Sequence, residues 1–259
     1  MTNTCVLITG ATGGLGGAFA DAFAARGCAL ILSGRDPARL AALAAALRER
    51  HGVVAATVPA DLSDPASREA AIAAIQAGGR PVDVLVNNAG FSTNGPLSSL
   101  DWRDDLDLVE VNVAAVVRLC HAFLPRMAAR GRGAAINVGS TTSFHPLPGQ
   151  AAYAASKAFV LSFSEALHGE YRRHGVHVLA LCPGATDTGF FRAMGRDVTL
   201  PKASPEAVVA AALRGLDARR ALVVPGLANR LQSALLPRLL PRAALRRLVE
   251  WAAPRAYAP

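Results

Sequence analysis

The chain has 259 residues, 52% hydrophobic and 18% charged, enough to bury a full core and far from the composition of a disordered chain. Four widely spaced cysteines and six scattered histidines form no C-x-x-C pair and no ligand cluster, which sets aside a disulfide framework and a metal site. The net charge is +8, yet eight arginines against one acid, Glu250, give the segment from Arg219 to Pro259 a surplus of seven; a nearly neutral body with a basic tail argues against nucleic acid as a partner.

Met1 to Thr4 leads directly into an apolar strand, so no leader is expected. No uncharged apolar run of about 18 residues is present, so no helical membrane span is expected either, and the expected location is the cytoplasm. Val6 to Ile8 ends in Thr9-Gly10-Ala11-Thr12-Gly13-Gly14-Leu15-Gly16-Gly17, which reads as a buried strand, a glycine turn and a helix over about 15–26. A second strand, 29–32, closes on Ser33-Gly34-Arg35-Asp36, and Pro37 starts a helix to about Arg50. A third, 53–58, ends at Ala60-Asp61-Leu62, after which Ser63-Asp64-Pro65 caps a helix to about Gln76. A fourth, 82–86, runs into Asn87-Asn88-Ala89-Gly90. One long helix is predicted over about 102–129, with Asn112 inside it. A fifth strand, 134–138, ends at Gly139-Ser140, and the following helix carries Tyr153 and Lys157 as far as about His174. A sixth, 177–181, ends at Cys182-Pro183-Gly184; a helix over about 204–217 and a seventh strand, 222–224, follow. Two Leu/Arg segments, split by Pro237 and Pro241, finish the chain.

Short continuous apolar runs that alternate with helices predict an α/β fold: a doubly wound parallel sheet of about seven strands with helices on both faces. Residues 1–225 are read as one catalytic domain and 226–259 as a basic Leu/Arg-rich helical extension. Such sheets bind ligands at the carboxyl ends of their strands, and every unusual residue above falls at such an end.

Gly10, Gly14 and Gly16 follow a strand and open a helix, where glycine lets backbone N–H groups approach a pyrophosphate. At the end of the second strand an NAD enzyme usually places an acid for the ribose hydroxyls. Here Ser33, Gly34 and Arg35 stand there, which favours the 2′-phosphate of NADP(H), with Asp36 as the counterweight. Tyr153 and Lys157 lie one helical turn apart on one face. An ammonium beside a phenol favours the phenolate and brings a proton donor nearer the working pH.

In order, Thr9-Gly10-x-x-x-Gly14-x-Gly16, Asp61-Leu62, Asn88-Ala89-Gly90, Asn112, Ser140, Tyr153-x-x-x-Lys157 and Pro183-Gly184 make the chain resemble a short-chain dehydrogenase/reductase over roughly residues 3 to 225. The resemblance implies a Rossmann-type fold and a catalytic set of Asn112, Ser140, Tyr153 and Lys157. Tyr153 is then the acid in carbonyl reduction and the base in alcohol oxidation, with Lys157 lowering its pKa and bonding the nicotinamide ribose. Ser140 holds the substrate oxygen. Asn112 sits at a helix irregularity and holds a water that links Lys157 to solvent. Cofactor contacts are implied for Gly10, Thr12, Gly14, Leu15, Gly16, Ser33, Arg35, Asp61, Leu62, Asn88, Ala89, Gly90, Tyr153, Lys157, Pro183, Gly184, Thr186 and Thr188. The family also implies a homodimer or homotetramer and no metal.

Phe91, Phe144, Leu147, Phe190, Phe191 and Met194 are expected to line an apolar substrate pocket, with the segment 189–204 able to close over it. The expected activity is NADP(H)-dependent interconversion of a hydrophobic ketone or aldehyde and an alcohol, an acyl chain among the candidates. The alternative is a non-catalytic NADP(H)-binding regulator or membrane-associated scaffold. In the tail, Ala244, Leu245, Leu248, Val249 and Ala252 form one stripe of a basic helix. Packing on its own domain, on a partner, or on an anionic membrane surface at the inner face all remain open for 227–259.

Overall fold

The computed structural model describes residues 4–194 and 201–256. Part of the predicted closing segment, 195–200, and the chain end, 257–259, lie outside the described residues. Seven parallel strands stand in the order β3-β2-β1-β4-β5-β6-β7. They are β1 (Cys5–Thr9), β2 (Ala29–Gly34), β3 (Ala55–Pro59), β4 (Val84–Asn87), β5 (Gly133–Val138), β6 (Val176–Leu181) and β7 (Leu222–Val223). The chain reverses direction across the sheet between β1 and β4, and the crevice at that switch point is where a doubly wound sheet takes ligands.

The helices are α1 (Gly14–Ala25), α2 (Pro37–His51), α3 (Pro65–Ala77), α4 (Trp102–Val109), α5 (Ala115–Ala129), α6 (Ala151–Tyr171), α7 (Phe190–Ala193), α8 (Pro205–Asp217), α9 (Leu227–Leu239) and α10 (Arg242–Ala256). The central strands β2, β1, β4, β5 and β6 are buried on both faces, while the edge strand β3 is partly exposed. Val6, Ile8, Leu30 and Leu32 face Phe19, Phe23, Leu40 and Val209 of α1, α2 and α8, while Leu7 and Leu85 face Ile72, Phe123 and Val160 of α3, α5 and α6. This accounts for the unbroken apolar runs in the sequence.

Asp36-Pro37 and Asp64-Pro65 start α2 and α3 by the same device: the aspartate accepts from Ala38 and Arg39 N–H, or from Ala66 and Ser67 N–H, and proline takes the first helical position. β3 and β4 begin two residues later than expected, where pairing starts at Leu30–Ala55 and Val6–Val84. The predicted long helix is continuous in space, but a π-helical turn, Glu110–Ala114, separates α4 from α5. The whole helix Trp102–Ala129 is long and apolar enough to cross a membrane, yet half of its apolar window is buried, and α5 is the core element just described.

The expectation that Pro237 splits the tail is corrected. Pro237 lies inside α9 and Pro241 stands between the two helices. Pro237 is exposed, so water can satisfy the carbonyl that its missing N–H leaves unbonded.

Candidate active site

The glycine turn is held by β4. The Asn88 amide donates to Thr9 O at 2.9 Å and Gly10 O at 3.1 Å, and the Thr9 hydroxyl accepts from Asn88 N at 3.0 Å and Ala89 N at 3.1 Å. Gly10 has φ +62, and a Cβ on Gly16 would collide with Gly10 O. A Cβ on Gly14 would lie 2.8 Å from Thr188 Cα, so Thr188 roofs the turn. Unlike α2 and α3, α1 has no side-chain cap at its N-cap residue, Gly13. Its first N–H groups therefore remain available to an anion at the positive end of the helix dipole. An uncapped helix behind a turn with no room for side chains fits a dinucleotide pyrophosphate.

Beside this turn lie Thr12, Leu15, Ser33, Arg35, Arg39, Asp61 and Leu62, all lining one cleft. Asp36, the expected counterweight, caps α2 with its carboxylate. The Arg39 guanidinium donates to Thr12 O at 3.0 Å and puts a second cation at the end of β2. Sequence reasoning missed Arg39; its place in the first turn of a helix that starts at a strand end was the available signal. Asp61 accepts from the hydroxyl and the N–H of Ser63, which hold its carboxyl below the usual range.

At the other end of the cleft three elements converge. The π-turn aims Asn112 at the strand end after β4: its amide donates to Phe91 O at 3.0 Å and Ser156 Oγ at 3.1 Å, and its Oδ1 accepts from Phe91 N at 3.2 Å. α6 contributes Tyr153, 9% exposed, and Lys157, 5% exposed, with Lys157 Nζ 5.8 Å from the Tyr153 ring centroid. Lys157 Nζ donates to Val138 O at 2.8 Å. Burial lowers its pKa from 10.5 to about 8. Gly90 lies between these groups; a Cβ there would be 2.9 Å from Asn112 Oδ1 and 3.3 Å from Lys157 Nζ. Ser140 follows β5. Its Oγ accepts from Thr142 N at 3.2 Å, which leaves its O–H to donate elsewhere. Ser143 accepts from Ser140 N and donates to Lys157 O, tying that turn to α6. Pro183, Gly184, Thr186 and Thr188, with Ala89, complete the lining.

Phe91, Phe190, Phe191 and Met194 line the substrate end, with Phe190 5.8 Å from the Tyr153 ring. Phe144 and Leu147 do not line it. Leu147 packs under Ala154 of α6 and Val249 of α10, an apolar partner supplied by a remote helix. Phe144 ends the 3₁₀ turn Thr141–Phe144, where the backbone becomes extended at His145 and leaves the cleft. Three polar residues line the cleft as well: Ser92 and Gln150, from the loop segments 91–100 and 144–150 that the sequence placed along the pocket without singling these residues out, and Thr142, which sequence reasoning missed. Gln150 donates to Ser92 Oγ and Met194 Sδ, while the buried Thr142 hydroxyl has no partner. Of the predicted stripe on α10, Leu245 and Val249 pack inward but Leu248 is 39% exposed; the Ala252 side chain lies outside the description. The cleft measures about 790 Å³, room for a dinucleotide and a substrate together.

The short chain dehydrogenase family model matches residues 4–199. A sulfoacetaldehyde reductase of Chromohalobacter salexigens is 42% identical over 189 residues, covering 72% of this chain and 74% of that one. A short-chain dehydrogenase from Sphingobium yanoikuyae, solved in complex with NADPH, superposes with a TM-score of 0.83 at 39% identity, covering 89% of this chain and 91% of that one. The bulky-bulky ketone specific alcohol dehydrogenase from Comamonas testosteroni superposes with a TM-score of 0.78 at 30% identity, covering 97% and 92%. The strand-end cleft and these matches agree, and the chain belongs to the short-chain dehydrogenase family, an oxidoreductase that acts on CH–OH groups.

Proposed function

We propose that this enzyme interconverts a hydrophobic ketone or aldehyde and its alcohol, with NADP(H) preferred over NAD(H). The observation that carries the reading is Lys157, buried beneath the Tyr153 ring at a strand end that Ser140 also reaches. In reduction, Tyr153 O–H and Ser140 O–H hold the carbonyl oxygen, and Tyr153 gives up its proton as charge develops there. In oxidation, Tyr153 takes the alcohol proton. The Lys157 ammonium favours the phenolate in both directions. The nicotinamide supplies or accepts the hydride. Asn112 holds Phe91 and the π-turn in place, and Gly90 keeps the space that Asn112 and Lys157 occupy.

The NADP(H) preference is supported by Arg35 and Arg39 in the cleft, where Asp36, the one acid at this strand end, has its Oδ1 engaged by two N–H groups of the α2 N-terminus. NADPH in the Sphingobium yanoikuyae relative points the same way. The apolar substrate class is supported by Phe91, Phe190, Phe191 and Met194 and by the bulky ketones of the Comamonas testosteroni relative. Self-association is proposed as well, supported by the exposed Trp102, Leu106 and Val109 on one face of α4.

Steady-state kinetics with NADPH and NADH across ketones of graded size test this reading, with Tyr153→Phe as the control. The variant should lose at least about a hundredfold in turnover and keep its cofactor affinity. Unchanged turnover would remove Tyr153 from the chemistry, and faster turnover with NADH would overturn the cofactor reading.

A further inference from the structure

Helix α9 carries Leu227, Leu231, Leu235 and Leu239 four residues apart, so they form a single stripe along it. That stripe faces solvent: the four leucines are 71%, 49%, 45% and 72% exposed. The opposite side, with Asn229, Ser233, Leu236 and Leu240, is the less exposed one. Asn229 anchors the first turn by donating to Pro225 O at 3.0 Å and by filling the space over Gly184, which lines the cleft. The stripe predicted on α10 is partly used at home, with Leu245 buried and Val249 against Leu147, while α9 points its leucines away from the domain.

A row of exposed leucines on a folded monomer marks a contact surface. Charge indicates what covers it. Arg230 and Arg238 lie on α9, both exposed, and the whole segment from Arg219 onward holds eight arginines and one acid. A two-fold contact between copies through this face would set the arginines of α9 against those of its mate, and Glu250, the one acid of the segment, is already paired with Arg246 on α10. An anionic lipid surface matches both features, since leucines enter the acyl boundary while arginines meet the headgroups.

We propose that α9 is an interfacial anchor that docks the enzyme on anionic membranes through Leu227, Leu231, Leu235 and Leu239, with Arg230 and Arg238 on the headgroups. The α9 anchor stands apart from the substrate reading. If that reading also holds, docking brings the Gly184 end of the cleft beside the lipid, where an apolar ketone would concentrate.

Co-sedimentation of the full chain tests the anchor, using phosphatidylcholine vesicles with and without about a third phosphatidylglycerol. The wild-type protein should pellet with the anionic vesicles and not with the neutral ones, and about 0.5 M salt should weaken the binding. Leu231→Ser/Leu235→Ser should reduce binding by about tenfold or more, and Arg230→Gln/Arg238→Gln should remove the preference for anionic lipid. Both double variants should keep wild-type turnover of a water-soluble ketone, which confirms that they fold. Absence of vesicle binding by the wild type would overturn the proposal. So would equal binding to neutral vesicles, or a dimer mass that falls to the monomer in Leu231→Ser/Leu235→Ser, since that result assigns the stripe to a second copy.

Discussion

Lys157→Met separates what the lysine does for chemistry from what it costs the fold. Burial holds the Lys157 pKa at about 8 instead of 10.5, so its charged form is penalised in the folded protein. A shift of that size corresponds to about 3 kcal/mol at pH 7. Methionine matches the stem and removes the charge. It also removes the donor to Val138 O, which costs about 1 kcal/mol. The net expectation is stabilisation by about 2 kcal/mol, or a rise of roughly 4 °C in Tm for a chain of this size. Between about pH 8 and 10.5 the unfolded chain keeps the lysine proton that the folded chain has released, so the wild type gains stability as pH rises through this window. The advantage of the variant should therefore shrink above pH 8, vanish at about pH 10 and reverse above it, where only the lost hydrogen bond to Val138 O remains. Calorimetry on cofactor-free protein at several pH values measures this, because bound cofactor would add its own stabilisation. A variant less stable than wild type at pH 7, or a pH-independent difference, would refute the reasoning. Turnover of the variant should fall steeply whatever its stability.

Two further outcomes follow from packing. Gly90→Ala places a Cβ 2.9 Å from Asn112 Oδ1 and 3.3 Å from Lys157 Nζ; displacement of either should lower kcat by about a hundredfold with the fold intact, and wild-type kcat would show that the gap can be filled. His177 is 6% exposed and its pKa is lowered to about 4, first by burial and then by His168 and Arg219. It stays neutral in the fold while the unfolded chain takes up a proton below pH 6.5, so stability should drop by up to about 3 kcal/mol as pH falls from 6.5 to 4; thermal melts of His177→Leu should lack that part of the acid slope.

The strand, turn and helix order was legible because each signal is local. Gly10 takes a positive φ, Asp36-Pro37 and Asp64-Pro65 satisfy the first helical N–H groups, and the Tyr153/Lys157 spacing is one turn of one helix. Arg39 and the π-turn were less legible. A helical periodicity does not announce one extra residue per turn, and Asn112 was placed at an irregularity only through the family resemblance. Phe144 and Leu147 were misplaced because apolar loop residues near a catalytic tyrosine look alike until the covering helix is known, and for Leu147 that cover is Val249, about a hundred residues away in the chain.

The seven-stranded parallel sheet, the glycine turn and the one-turn spacing of Tyr153 and Lys157 were readable from sequence, because hydrophobic period, backbone freedom and helical spacing are properties of neighbouring residues; the catalytic role of the pair came from the ordered motifs of the family resemblance. Which polar groups share the cleft, the capping role of Asp36 Oδ1, the unpaired hydroxyl of Thr142 and the outward face of the α9 leucines came from the folded arrangement. Those features depend on which surfaces meet across the fold, and an amphipathic pattern names a face without naming what covers it.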